Sequence, residues 1–309
     1  MLYTLTLNPS IDYIMHISNV KVGETNYADK EKMLPGGKGI NVSRVLNRLG
    51  VTNKALGFIG GHSGHFIEEW LTNEGAKHEF IKVNGDTRIN VKLKDEAETE
   101  LNGKGPIITE KESEALLNQI LKLTSADTII LSGSKSRGLS ETFYNEIIDI
   151  CQKQQINFVI DTNSKELLDI LKAKPFLVKP NQAELSQLFN QPIQSKTDAI
   201  YYGKKLQEGG AQNVIVSLGG DGAIFIDDQE TYIAASPRGK VINTVGSGDS
   251  MIAGFMAGIE KGLSKLEAFK LSVQCGSATA FSEDLATKDA ILALSNHVEI
   301  ERVEDNEND

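Results

Sequence analysis

Three observations predict a doubly wound α/β fold, a mostly parallel sheet flanked by helices. From about residue 109 onward, helical stretches alternate with short apolar runs: DTIILSG at 127–133, INFVID at 156–161, PFLVKP at 175–180 and NVIVSL at 213–218. That alternation is expected of βα units whose strands are buried on both faces. Glycine clusters stand where apolar runs give way to helical patterns, and ligands of open α/β sheets bind at such junctions. Finally, 309 residues that are 40% apolar and 24% charged can bury one large core.

The elements follow in order. LYTLTL at 2–7 reads as a buried strand ending at the turn Asn8-Pro9-Ser10. The stretch 13–33 is mixed and polar with short alternating pieces, as exposed strands are. Pro35-Gly36-Gly37-Lys38-Gly39 then leads into a helix carrying Val42, Val45, Leu46 and Leu49, stopped by Gly50. A second exposed patch, 88–94, sets Ile89, Val91 and Leu93 against Asn90, Lys92 and Lys94. It reads as a half-buried antiparallel strand with its apolar side inward, and 98–102 can pair with it. The two patches, about 13–34 and 88–102, are separated by a βαβ piece, so a β lid built from both is discontinuous in sequence. The last third predicts helices over 248–261, 264–281 and 287–294. One domain over 1–298 is expected, with an acidic tail at 299–309 that has little to bury and frays.

Net charge is −10, and the tail holds six acids against Arg302 alone. An acidic body argues against nucleic acid or an acidic membrane surface as partner, and any anionic ligand must be held by local cations. No run of about 18 apolar residues and no signal-like start is visible, so a cytoplasmic setting without a membrane span is expected. Cys151 and Cys275 have neither a disulfide framework nor metal spacing. His62 and His65 lack further ligands nearby, and Trp70 with Phe66 and Ile67 reads as core.

Three glycine clusters carry the chemistry. In Asn243-Thr-Val-Gly246-Ser247-Gly248-Asp249-Ser250 a glycine turn opens a helix, so several backbone N–H groups and the helix dipole favour an anion. Asp249 fits there as an N-terminal helix charge, or as a base accepting the proton of a hydroxyl that attacks a bound phosphate. In Leu34-Pro35-Gly36-Gly37-Lys38-Gly39-Ile40-Asn41 the turn lets backbone approach a ligand, with Lys38 and Asn41 on one helix face. A bare turn with a solvated lysine is the alternative. Ser217-Leu218-Gly219-Gly220-Asp221-Gly222 is either a nucleotide-side loop or a hairpin turn. Asn181 and Glu184 form a complete capping box, or hold Mg²⁺ through water. Asp12 is a turn residue or a hydroxyl-binding carboxylate. There is no P-loop and no dinucleotide-binding G-x-G-x-x-G.

Five stretches in order, TLNPSID, LPGGKGINVSRVL, KPNQAEL, SLGGDGA and NTVGSGDS, resemble the ribokinase-like carbohydrate kinases of the phosphofructokinase B type. The likeness runs from about Thr4 to Ala286. NPSID with LPGGKGINVSRVL resembles the branch acting on phosphorylated sugars rather than on ribose or adenosine, and TRINVK at 87–92 with TELN at 99–102 is most similar to 1-phosphofructokinases, then to tagatose-6-phosphate kinases and the minor 6-phosphofructokinase type. The resemblance implies ATP and Mg²⁺, Asp249 as base and an anion hole at Gly246, Ser247 and Gly248. It implies Asp12, Gly37 and Asn41 on sugar hydroxyls, and Lys38 with Arg88 on the phosphate the substrate already carries. Lys179, Asn181 and Glu184 would organise ATP and Mg²⁺, and Ser217, Gly219, Gly220, Asp221 and Gly222 the nucleotide. A homodimer through the lid is also implied. Ser247 replaces the usual Ala, Lys135-Ser136 the frequent Leu-Pro, and Asn163-Ser164 the common Ser-Gly. A non-catalytic sugar-phosphate sensor on the same fold is the competing class; a sensor has no need of a base at position 249.

Overall fold

The structure is a computed structural model that describes residues 1–162 and 166–303. Its strands and helices begin with β1 Leu2–Thr6, β2 Ser10–His16, β3 Lys30–Gly36, α1 Lys38–Arg48, β4 Asn53–Ile59 and α2 Gly61–Asn73. Then come β5 Lys77–His78, β6 Ile81–Lys82, β7 Arg88–Lys94, β8 Glu98–Asn102, α3 Glu110–Ile120, β9 Thr128–Ser132 and α4 Phe143–Gln154. These are followed by β10 Asn157–Asp161, α5 Leu167–Ile170, β11 Leu177–Val178, α6 Gln182–Phe189, α7 Lys196–Glu208 and β12 Val214–Ser217. The chain closes with β13 Ala223–Ile226, β14 Thr231–Ala234, α8 Ser247–Glu260, α9 Lys265–Ala280, α10 Lys288–Ala293 and β15 Ile300–Arg302.

The large sheet runs β15-β14-β13-β12-β11-β10-β9-β1-β4-β5, with β6 also on β4. Pairing is parallel from β12 through β1 to β4, β5 and β6, and antiparallel across β13, β14 and β15. The apolar runs of the sequence are these parallel strands, and helices cover both faces. One core packs β1, β9 and β10 against α3, α4 and α7; the other packs the opposite face against α1, α8 and α9. Burying each Leu, Ile or Phe there contributes roughly 1.5–3 kcal/mol. The carboxyl ends of β1, β9, β10, β11 and β12 all open on one edge, and that edge carries the site.

A separate four-stranded sheet, β3-β2-β7-β8, forms the lid. It draws on both early patches, but differs from expectation in three ways. Its first strand begins at Ser10 and its second ends at Gly36, while 17–29 is a loop. β7 runs parallel to β2 and antiparallel to β8. The faces are also inverted. Asn90 and Lys92 are buried at 8% and 6% exposure, while Ile89 and Leu101 are 44% and 57% exposed. Alternation marks two faces without saying which looks inward; here the polar face covers a polar cleft, leaving the apolar one outside.

The tail also departs from the expected fraying. Ile300–Arg302 pairs antiparallel with β14, because a strand edge offers backbone partners to any sequence; residues 304–309 lie outside the described residues. Trp70 is half-buried, flanked by Phe66 and lying 5.6 Å beneath the Arg44 guanidinium, rather than in the core. His62 and His65 are exposed on α2. Both cysteines are buried and unbridged. Among the described residues no helix is long and apolar enough to cross a membrane.

Candidate active site

Two cavities meet at the start of α8. A polar cleft of about 780 Å³ lies between the lid and the strand ends, and an apolar one of about 280 Å³ lies between the Gly219–Gly222 turn and α8–α9. Asn181, Ser217 and Gly248 line both.

Gly246 caps α8 with φ +79°, a left-handed backbone that glycine adopts without strain. In that turn the Ser247 N–H donates to the Thr244 carbonyl at 3.2 Å, while Gly248 stands at the junction of the two cavities. Asp249, one turn in, is buried at 6% exposure. Asn41 Nδ2 donates to its Oδ2 across 2.9 Å. Burial, and after it the charge of Asp161, push Asp249 up to about 6, while Asn41, Lys38 and Lys179 act to lower it. A carboxylate tuned toward neutrality suits proton acceptance.

Two lysines flank it. Lys179 Nζ lies 2.9 Å from where a Cβ would stand on Gly248 and 3.9 Å from Asp161 Oδ1. Lys38 Nζ is 3.1 Å from Asp161 Oδ2 and 4.0 Å from Glu184 Oε1. Burial works to lower the Lys38 ammonium, but Asp161, Asp249 and Glu184 outweigh it and hold it above the ordinary lysine value. Lys38 thus faces the Asp161–Asp249 side of the cleft, which differs from the expectation that it joins Arg88 at the substrate's own phosphate. An i, i+3 face on α1 does not reveal that a carboxylate from β10 will meet it.

The lid supplies the other wall. Asp12 Oδ1 accepts from Ser10 Oγ at 2.9 Å and from Asn90 Nδ2 at 3.1 Å. Arg88 is half-buried; its Nε is buried with no hydrogen-bond partner, and Nη1 reaches only the Gly103 carbonyl at 3.4 Å. Burial lowers its guanidinium, with the Asp12 charge opposing. Arg88 makes no ion pair among the described residues. Gly37 lines the same cleft.

On the nucleotide side, Asn181 and Glu184 complete the capping box of α6: Asn181 Oδ1 accepts from Glu184 N and Glu184 Oε2 from Asn181 N, both at 2.8 Å. Ser217, Gly219, Gly220, Gly222 and Ser247 line the apolar cavity. Asp221 lines neither cavity and points to solvent, because the turn between β12 and β13 presents only its glycines inward. The 132–138 loop is held by Ser136 Oγ donating to the Leu7 carbonyl at 2.7 Å and by Arg137 donating to the Gly105 carbonyl. Lys135 pairs with Glu166 at 3.5 Å. Asn163 and Ser164 lie outside the described residues.

Sequence reasoning missed several lining groups: Asp161, Asn90, Tyr144 and Glu100, together with Asn8 and Asn102. Asp161 ends β10, and the rule that ligands sit beyond the carboxyl ends of parallel strands points to it. Asn90, Glu100 and Asn102 lie in the TRINVK and TELN stretches, whose likeness, taken as a whole, gives these residues no role.

A family model described as pfkB family carbohydrate kinase matches residues 5–290. The chain belongs to that family. The 1-phosphofructokinase of Bacillus subtilis strain 168 is 47% identical over 303 residues, covering 98% of this chain and 100% of its own. A tagatose-6-phosphate kinase of Staphylococcus epidermidis is 37% identical over 286 residues, covering 87% and 90%. Escherichia coli phosphofructokinase-2, solved in complex with substrates and products, superposes with a TM-score of 0.90 at 29% identity, covering 96% of this chain and 98% of its own. That protein is described as tetrameric in its inhibited form. As a pfkB family sugar kinase, the chain takes ATP as its phosphoryl donor.

Proposed function

We propose that this kinase phosphorylates a ketose that already carries a phosphate, fructose 1-phosphate first, giving fructose 1,6-bisphosphate. The observation that carries the reading is Arg88: a half-buried guanidinium with an unpartnered Nε, no ion pair, and a place on the cleft wall. A buried cation without a counter-charge is costly, and a phosphate offers the planar fork two acceptors at once. The strong sequence likeness to a 1-phosphofructokinase supports the same substrate.

The free primary hydroxyl of the sugar lies toward Asp249, with Asp12 and Asn41 on neighbouring hydroxyls and Gly37 letting the backbone approach. Asp249 accepts the hydroxyl proton as the oxygen attacks the γ-phosphorus in line. The Gly246 and Gly248 amides and Lys179 take up the charge on the transferring group. The apolar cavity holds the base of the nucleotide, beside Ser217 and the glycines at 219, 220 and 222.

Mg²⁺ fits the donors present only through its water shell. Glu184 Oε2 is committed to the Asn181 N–H, leaving Oε1, and among the described residues no cluster of three or more acidic, His or Cys ligands forms a cage. Asn181 and Glu184 would hold the hydrated ion, which neutralises charge on phosphate oxygens when bound. The apolar outer face of the lid supports a homodimer assembled there.

The test is an ATP-coupled screen of fructose 1-phosphate, tagatose 6-phosphate, fructose 6-phosphate and the free sugars. Fructose 1-phosphate should give the highest kcat/KM; preference for tagatose 6-phosphate would move the assignment to the second reading, which the Staphylococcus epidermidis relative favours. Equal use of fructose and fructose 1-phosphate would overturn both.

A further inference from the structure

Next to the sugar cleft, where Arg44 and Asp284 line a small pocket with Asp12, Asn41 and Lys92, lies a charge cluster that no step above uses. Arg44 is fully buried at 0% exposure. Its Nε and Nη2 donate to Glu74 Oε2 and Oε1 at 3.0 and 2.9 Å, and its Nη1 and Nη2 to Asp284 Oδ1 and Oδ2 at 3.1 and 2.7 Å. Arg48, one turn on, reaches the same two carboxylates at 2.9 and 3.1 Å and donates to the Leu285 and Ala286 carbonyls. Two arginines and two carboxylates thus join α1, the end of α2 and the segment after α9.

Replacing such a buried cluster by apolar side chains is often neutral or stabilising, so stability alone does not account for it. Its geometry reaches the reacting centre by two routes. On α1, Asn41 precedes Arg44 by three residues and donates to Asp249. In the other direction, Asp284 is followed by Leu285, which packs on Gly246: a Cβ on Gly246 would stand 2.6 Å from Leu285 Cδ2 and 3.5 Å from Asn41 Nδ2. The base and the turn that forms the anion hole are both held against this cluster.

We propose that Arg44 is a positioning residue for phosphoryl transfer, its two-sided fork fixing α1 against the 284–286 segment and through them the Asn41–Asp249 hydrogen bond and the Gly246 turn. The inference rests on Asp249 being the base. A planar fork with two carboxylates fixes rotation as well as distance, which a lysine ammonium does not. Misplacing a base by about 1 Å costs up to about 100-fold in rate.

The experiment compares Arg44→Met and Arg44→Lys with wild type, well below their melting temperatures, in kcat, both KM values and the pH profile of kcat. Arg44→Met leaves Arg48 to pair both carboxylates. It should lose about 10- to 100-fold in kcat with each KM within about 3-fold. The acid limb of its profile should move to higher pH, as the Asn41 bond no longer holds Asp249 down while Lys38, Lys179 and Asp161 stay in place. Arg44→Lys should recover only part of the rate. A lowered melting temperature with wild-type kcat and an unmoved limb overturns the proposal. If Arg44→Met does not fold, Asp284→Asn decides: a kcat loss of about 3- to 10-fold with the same limb movement supports it, and wild-type values overturn it. Asp249→Asn serves as the control. Turnover retained there fells the base assignment itself; turnover lost there with silent Arg44 variants fells only this inference.

Discussion

Asn41 Nδ2 donates to Asp249 Oδ2 across 2.9 Å, tying the first turn of α1 to the first turn of α8 over 208 residues of chain. The bond orients the carboxylate and leaves its other oxygen for a substrate hydroxyl. Asp249→Asn keeps the size and removes the basicity. Its kcat should fall at least about 100-fold, with ATP affinity nearly unchanged. Steady-state kinetics together with nucleotide titration check this, and near-wild-type turnover would remove Asp249 from the mechanism.

The same bond has a pH signature. Burial and Asp161 push Asp249 up to about 6, and the base works only when ionised. Below that value the carboxyl keeps its proton and kcat falls; above it kcat reaches a plateau. Asn41→Ala removes one of the groups lowering the value, so its acid limb should lie at higher pH than that of wild type. Measuring kcat with both substrates saturating, across about pH 5 to 8, tests this. A profile flat through 6 would contradict it.

Much of this site is visible in the sequence because glycine turns at strand ends have few other uses in an α/β sheet. The Gly246–Gly248 turn and Asn41 follow from that rule; Lys179 comes from the family resemblance, and Asp161, at the end of β10, is passed over because no glycine turn follows it. The position of Lys38 does not follow from it, because its partner is set by how β10 lies beside β9 and β1, a property of topology. The lid strands illustrate the same limit. Their alternation is plain in Arg88–Lys94, but an inward face is apolar only where it meets a core, and here it meets a solvated cleft. The pairing of Ile300–Arg302 with β14 rests on backbone groups alone and leaves no mark on side-chain pattern.

That inverted lid leads to a prediction about assembly. Ile89, Leu101 and Met33 are exposed on the outer face of the four-stranded sheet, with Val91, Leu93 and Tyr13 half-buried beside them. An apolar sheet face of this kind marks an interface. The proposed partner is a second copy of the chain, lid against lid, which would cover it with like residues around a twofold axis. Light scattering at micromolar concentration should give a dimer. Val91→Glu, placing a charge in the face, should shift it to monomer and raise KM for the sugar phosphate, since the free lid no longer holds its cleft side in place. A fully active wild-type monomer would count decisively against the lid interface.

Arg88 provides the test of substrate class. The protein carries net charge −10, so a dianionic sugar is repelled at long range and must be held by local cations. Lys38 is engaged with Asp161 and Lys179 lies over Gly248, both on the transfer side of the cleft. Arg88 stands on the opposite wall, at the start of β7, with its Nε unpartnered. A charge-assisted contact is worth about 1.5–3 kcal/mol, so Arg88→Ala should lower kcat/KM for fructose 1-phosphate by about 10- to 150-fold. KM for ATP should hardly change. Arg88→Lys keeps the charge but loses the fork, and should recover only part of the loss. Free fructose, which has no phosphate to lose contact with, should be used equally poorly by wild type and by Arg88→Ala. If instead Arg88→Ala costs fructose 1-phosphate less than about 3-fold, the guanidinium does not hold the resident phosphate. The cation that does must then be sought between Lys38 and Lys135, which line the same cleft.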